Sequence, residues 1–210
     1  MPVVVSNDAD AEALGEHAVS FPTSTALCLV KVSTGIGVGL VIDGRIYHGV
    51  DGGSGDIGHI RVADPRAQET LCQCGAHGCL ATIASGRAVA RDLRALGIAA
   101  ESGRDVERLL QQGDPRAAAL TQQAGRALGE VLASVVCLFN PGVMVIGGAL
   151  SSGPLIAGIR ESLYRLSLPR ATRHLTMELG TIDDGAALIG LVQQVVDQEF
   201  APGRINEPLG

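Results

Sequence analysis

Aromatic residues are nearly missing from this chain: there is no Trp, and only two Tyr and three Phe occur among 210 residues. Its core must therefore be built from Ala, Val, Leu and Ile. Basic charge is also short, since 16 Lys and Arg stand against 22 Asp and Glu, leaving a net charge of -6. Gripping nucleic acid through this segment would require a basic patch, and none is visible. The arginines of "RALGIAAESGRDVERLL" alternate with acids, as on a solvated helix face. No apolar run approaches the roughly 20 residues that span a bilayer. The start, "MPVVVSNDADAEALGE", lacks the charged and then apolar pattern of a secretion leader. These absences leave the cytoplasm as the expected location, with no membrane contact. Thiols stay reduced there, and clustered cysteines are more often metal ligands than disulfides.

What remains is ample for a packed fold. Apolar residues make up 46% of the chain, too many for a disordered segment, and the length allows one large domain or two small ones. "VVVS" (3–6) predicts a short buried strand. "NDADAEALGEHAVS" predicts a helix whose start is capped by Asn7 or Asp8. "ALCLVKVS" and "IGVGLVIDG" predict strands, with "DG" at 43–44 turning the chain into "RIYHGV". Helical spacing takes over from "SGRAVARDLRALG", and its longest stretch covers 114–139. "PGVMVIGGAL" and "HLTMELGTI" read as strands, "PLIAGIRESLYRL" and "DDGAALIGLVQQVVDQEF" as helices, and 201–210 as a loose tail. Antiparallel strands followed by alternating strands and helices indicate an α/β layer fold.

The densest chemistry lies in "CQCGAHGC", where Cys72, Cys74 and Cys79 share one tight loop with Gly75 and Gly78. Three thiols cannot all pair with one another, whereas zinc takes four soft ligands, commonly three Cys and one His. His77 and His59 compete for the fourth place. His77 would have to fold back inside a very short loop, so His59 is favoured. Cys28 and Cys137 sit in apolar runs and read as small buried hydrophobes.

"STGIGVGLVIDGRIYHGVDGGSGDIGHI" followed by "CQCGAHGCL" resembles the ROK family of sugar kinases and sugar-responsive repressors. That family pairs a glycine-rich run ending in "GEIGH" with a "CxCGxxGCxE" zinc knuckle. "NDADAEALGE" is similar to its "NDANAAALGE" segment, and "NPGVMVIGGAL" to its "NPExIVIGGG" segment. The resemblance covers nearly the whole chain. It implies an actin-like ATPase (ribonuclease H-like) fold, mostly its C-terminal lobe. Residues 1–200 would form one effector- or kinase-like domain with the knuckle inside 59–79, the N-terminal lobe and any DNA-binding domain lying outside. It implies structural zinc on His59, Cys72, Cys74 and Cys79, and sugar contacts from Asn7, Asp8, Asp56 and His59. Asp8 would be the general base in a kinase. Phosphate contacts would come from Thr34, Gly35, Gly37, Gly147 and Gly148, with ATP and Mg²⁺ as cofactors only in that case. A homodimer is also implied. For Asn7 and Asp8 helix capping is an equal reading, and for the glycines ordinary turn sterics.

Two departures from the family pattern stand out. Asp56 replaces a Glu, which draws the carboxylate back by one methylene, and Ala81 replaces a second Glu outright. Each hydrogen bond to a charged group contributes about 1.5–3 kcal/mol, so sugar affinity should fall by about 10- to 1,000-fold. "CLATIAS" is also nearer the repressors' "CLETIAS" than the kinases' "CLEAYAS". The family's first phosphate loop, "DxGGT", and a basic helix-turn-helix are both missing from the sequence. The expected function is the sugar- or sugar-phosphate-sensing, dimerising domain of a transcriptional regulator that touches DNA only through another domain. The alternative is an ATP-dependent hexose kinase.

Overall fold

The computed structural model describes Val3, residues 5–182 and residues 185–200. The expected tail 201–210, and Asp183 and Asp184 of the expected closing helix, lie outside the described residues. The first element is helix α1 (Asp8–Ser20), and strands β1 (Ala26–Val32), β2 (Ile36–Ile42) and β3 (Arg45–Ile46) follow it. A glycine-rich loop leads through a 3₁₀ turn at Ile57–His59 to short helices α2 (Pro65–Glu69) and α3 (Ala81–Ala84). Helices α4 (Gly86–Ala95), α5 (Gly103–Gln111) and α6 (Pro115–Phe139) come next. The chain then alternates: β4 (Val143–Gly147), α7 (Gly153–Leu166), α8 (Pro169–Thr172), β5 (Thr176–Leu179) and α9 (Ala186–Glu199).

The sheet order is β3-β2-β1-β4-β5. β1 pairs antiparallel with β2 and parallel with β4, which pairs parallel with β5. The "DG" turn is formed by Asp43 and Gly44, both at positive φ (49° and 77°), as a tight hairpin with the right strand twist requires. Alternation along β1 divides the core. Cys28, Val30 and Val32 face the large cluster built with Leu128, Leu132, Leu155 and Ile159, while Leu27 and Leu29 face Ala13 of α1. Small residues set the close approaches. A Cβ on Gly39 of β2 would stand 2.5 Å from both the Ala13 Cβ and the Ala9 carbonyl oxygen, so this glycine brings α1 down onto the sheet. Where a protein poor in rings needs density, backbones come together instead.

Three expectations are corrected. Val3 and Val5 are 85% and 91% exposed and lie in no strand, because no strand among the described residues pairs with them; Val4 of the expected strand lies outside the described residues. Of "RIYHGV", only Arg45 and Ile46 pair in the ladder, and after one more hydrogen bond from the Tyr47 N–H to the Leu40 carbonyl (2.8 Å) the strand ends. Cys137 is exposed rather than buried: it follows buried Val136 on α6, about 100° further round the helix.

Candidate functional site

The knuckle is a miniature hairpin. The Cys72 N–H donates to the Ala76 carbonyl (2.8 Å) and the Gly75 N–H to the Cys72 carbonyl (2.9 Å), with Gly75 and Gly78 at φ 85° and 84°. Its ends are anchored by the Val62 N–H on the Gly78 carbonyl (2.8 Å) and the Leu80 N–H on the Ile60 carbonyl (2.9 Å). This anchoring carries the 3₁₀ turn, and His59 with it, up to the thiols. The His59 Nδ1 lies 3.6 Å from the Cys72 Sγ, and the Cys74 Sγ lies 3.6 Å from the Cys79 Sγ. All four donor atoms lie within 4.8 Å of one another. A tetrahedron with zinc–sulfur bonds of about 2.3 Å has edges of about 3.8 Å, so the donor set and spacing fit one such ion. His77 is exposed and not among these four.

The thiols differ strongly. A hydrogen bond from the Ala76 N–H, with help from Cys79, brings the exposed Cys74 down to about 6. Burial, followed by the neighbouring sulfurs, pushes Cys79 up to about 11. The Arg61 guanidinium donates to the Cys79 sulfur. The buried Cys28, by contrast, is raised to about 12 by burial alone and is chemically quiet.

The second half of the site is the N-terminal end of α1. The Ala9 N–H donates to the Asn7 Oδ1 (2.8 Å), so the capping role is filled. Asp8, at the first helical position, is 74% exposed, and its Oδ2 sits 3.2 Å from the Lys31 Nζ. Lys31 also reaches the Glu12 Oε2 at 2.8 Å, and both of those side chains are largely sheltered. Burial opposes the Lys31 charge, but hydrogen bonds and attraction from Glu12 and Asp8 outweigh it and hold the ammonium above the usual lysine range. Two residues beyond Asp8, Asp10 is buried and accepts from the His48 Nδ1 at 3.1 Å. Burial raises its carboxyl, the His48 contact lowers it, and the nearby charges of Asp56 and Asp8 raise it further. Asp8, Asp10, Glu12 and Asp56 therefore form one acidic group with Lys31 at its edge. Sequence reasoning missed Lys31, Glu12, Asp10 and His48. The available signal was a lone charge inside the apolar run "ALCLVKV" and extra acids spaced along one helix.

The two glycine turns meet at the C-terminal ends of β1 and β4, where ligands commonly bind in open α/β sheets. They are pinned together: the Leu150 N–H donates to the Val32 carbonyl (2.9 Å), the Ala149 N–H to the Ser33 Oγ (3.1 Å), and the Gly86 N–H to the Ser33 carbonyl (2.7 Å). The Ser33 N–H donates to the Gly35 carbonyl (3.0 Å) and the Ser151 N–H to the Gly148 carbonyl (2.9 Å), so these amides are spent within the protein. Thr34 and Gly35 are exposed, with open space above Gly35. Gly37 lies against the Ala9 side chain, Gly147 against Glu12, and Gly148 has φ 85° beside the Val32 carbonyl. Backbone conformation and the Val32 carbonyl account for Gly148 without a phosphate.

Among the described residues, no helix is long and apolar enough to cross a membrane. The chain is 30% identical to a glucokinase from Halalkalibacterium halodurans over 99% of its own length and 67% of that protein. A ROK hexokinase structure from Thermus thermophilus superposes with a TM-score of 0.75 at 34% identity, covering 93% of this chain and 67% of the other. A ROK transcriptional regulator structure, a homologue of the E. coli MLC protein, gives 0.77 at 32% identity over 94% of this chain and 55% of the other. The chain thus spans between half and about two thirds of these relatives. Kinases and a regulator match it about equally well, and both share the actin-like ATPase fold. Residues 1–197 match the ROK family, and the chain belongs to it.

Proposed function

We propose that this chain is the sugar-sensing and dimerising domain of a cytoplasmic ROK transcriptional regulator, without kinase activity. Another domain of the protein would contact DNA, and a structural zinc would sit on His59, Cys72, Cys74 and Cys79. Zinc there would orient the knuckle and the imidazole, and the second ring nitrogen of His59 would be free to face a sugar. Asn7, Asp8 and Asp56 would supply the remaining hydroxyl partners. The observation that carries this reading is Ala81. It opens α3 two residues after Cys79, where a sugar-binding carboxylate would complete the ring of acceptors, and it offers no polar side-chain atom.

A kinase reading is favoured by one feature, the accessible Asp8 carboxylate. In that case Asp8 would take the proton of a sugar hydroxyl, and ATP with Mg²⁺ would bind along Thr34, Gly35, Gly37, Gly147 and Gly148. A coupled ATP assay and calorimetry with glucose, mannose and N-acetylmannosamine test both readings. The regulator reading expects no turnover and weak hexose binding. It expects Ala81→Glu with Asp56→Glu to tighten that binding by about 10-fold or more. Turnover that disappears in Asp8→Asn would overturn it.

A further inference from the structure

Of the 16 basic residues in the sequence, 15 are arginines and one, Lys31, is a lysine. It stands near the C-terminal end of β1, opposite Gly147 in the register with β4, on the face that α1 covers. Its side chain is only 20% exposed, and its ammonium joins the sheltered Glu12 to the open Asp8. Glu12 packs against Gly147, where a Cβ would overlap its Oε1. The Lys31–Glu12 pair therefore fills the space between the α1 carboxylates and the β4 turn. Electrostatically, Lys31 is the cation of a group containing Asp8, Asp10, Glu12 and Asp56.

We propose that Lys31 is a built-in counter-cation that competes with ligand hydroxyls for the Asp8 carboxylate, and so sets the affinity of the site for sugars. The proposal rests on the assignment of Asp8 as a sugar-binding residue. A hydroxyl donating to the Asp8 Oδ2 must displace the ammonium or share the oxygen with it. The sheltered contact to Glu12 keeps the ammonium in place when Asp8 turns away. An ammonium suits this role better than a guanidinium, because it is a compact charge with three rotatable donors that can serve two carboxylates from one small volume. The ion pair to Asp8 has one exposed partner, and such pairs contribute modestly, so its removal should tighten hexose binding roughly fivefold. Screening by salt should act in the same direction on the unmodified protein.

The test is calorimetry with N-acetylmannosamine and glucose on Lys31→Met with Glu12→Gln, made together so that no sheltered carboxylate is stranded. The pair is placed both in the native chain and in the Ala81→Glu, Asp56→Glu background. Roughly fivefold tighter binding is expected, with an affinity that rises with ionic strength when Lys31 is present and is flat when it is absent. Because there is one lysine, selective ¹⁵N-lysine labelling gives a single Nζ resonance, which should shift on sugar addition and not in Asp8→Asn. Unchanged or weaker binding by a variant that melts like its parent overturns the proposal and leaves the sugar site standing. If neither background binds a hexose, this proposal and the sugar-binding reading both fall.

Discussion

The cysteine knuckle and the N-terminal end of α1 are both clusters of ionisable side chains, but the chain assembles them differently. The knuckle draws three of its four clustered donor side chains from Cys72–Cys79, and two short backbone anchors bring in His59. The α1 cluster joins Asp8, Asp10 and Glu12 to Lys31 from a strand, His48 from a loop and Asp56 from a turn. In the first, spacing in sequence is nearly spacing in space. In the second, contacts form only after the sheet has closed. The knuckle is locally determined, while the α1 cluster depends on the whole fold.

The largest expected effect breaks the knuckle. Cys74 is exposed, so without a metal Cys74→Ser should change stability by less than about 0.5 kcal/mol. With a metal held by four ligands, the same substitution removes a bond that contributes to folding. We expect one zinc per chain by elemental analysis, and its loss in Cys74→Ser. The melting temperature should fall by about 10 °C, which for a chain of this size corresponds to roughly 3–5 kcal/mol. A Cys74→Ser variant that melts like the parent protein would remove the metal from the account. His59→Ala should behave like Cys74→Ser and His77→Ala like wild type; the reverse would reassign the fourth ligand.

This contrast also explains what could be read from the sequence. The longer elements, α1, β1, β2, α4, α6, β4, α7, β5 and α9, are legible from periodicity, caps and turn residues, because those signals act within a few positions, whereas the one-turn helices α2, α3 and α8 are too short to show a period. "CQCGAHGC" points to a metal-sized cluster of donors from its spacing alone, because that spacing is itself local. Val3 and Val5 were misread because apolar composition says nothing about whether a neighbouring strand exists. Cys137 was misread because "VVCLF" is apolar on every side and hides the one-residue difference between the inner and outer face of α6. Lys31 and Glu12 went unnoticed as a pair because 19 positions separate them, and only the register of β1 with β4 sets that lysine beside α1.

The next effect tests whether α1 is anchored from its far end. Glu16 is buried and accepts from the Thr181 N–H (2.8 Å), the Ile182 N–H (3.0 Å), the Thr181 hydroxyl (3.1 Å) and the Ser20 hydroxyl (3.0 Å). Both backbone N–H groups meet the Oε1 and both hydroxyls meet the Oε2, so one acceptor oxygen is obligatory and the negative charge strengthens all four bonds. Glu16→Gln keeps an oxygen for the two N–H groups but removes the charge and forces the Thr181 and Ser20 hydroxyls to accept from its NH₂, and this should cost about 2 kcal/mol. At about 2–4 °C per kcal/mol, circular dichroism should record a fall of about 4–8 °C. An unchanged melt would mean that α1 is held by packing alone, and the contrast between locally and globally built clusters would lose one of its supports.

The smallest effect concerns Asp10, and here the sign is opposite. Its carboxyl is raised above 3.8, chiefly by burial, with Asp56 and Asp8 adding to the rise and His48 opposing it. A carboxyl whose folded pKa exceeds its unfolded value contributes stability that is fully present below about 3.8 and is lost as pH rises through the folded value. At neutral pH the ionised Asp10 is therefore a net cost relative to a neutral side chain of the same shape. Asp10→Asn keeps an oxygen that can accept from the His48 Nδ1, and it restores the residue found in the family's "NDANAAALGE" segment. We expect this variant to be more stable than the parent at neutral pH, by less than about 1 kcal/mol. The advantage should shrink as pH falls toward the carboxylate range, because the native Asp10 then takes up its proton and becomes neutral too. Paired urea titrations at neutral and mildly acidic pH would measure it. An Asp10→Asn protein that is less stable at neutral pH would mean that the charged hydrogen bond to His48 outweighs burial. The acidic cluster would then be a stabilising network rather than one kept at a cost to the fold.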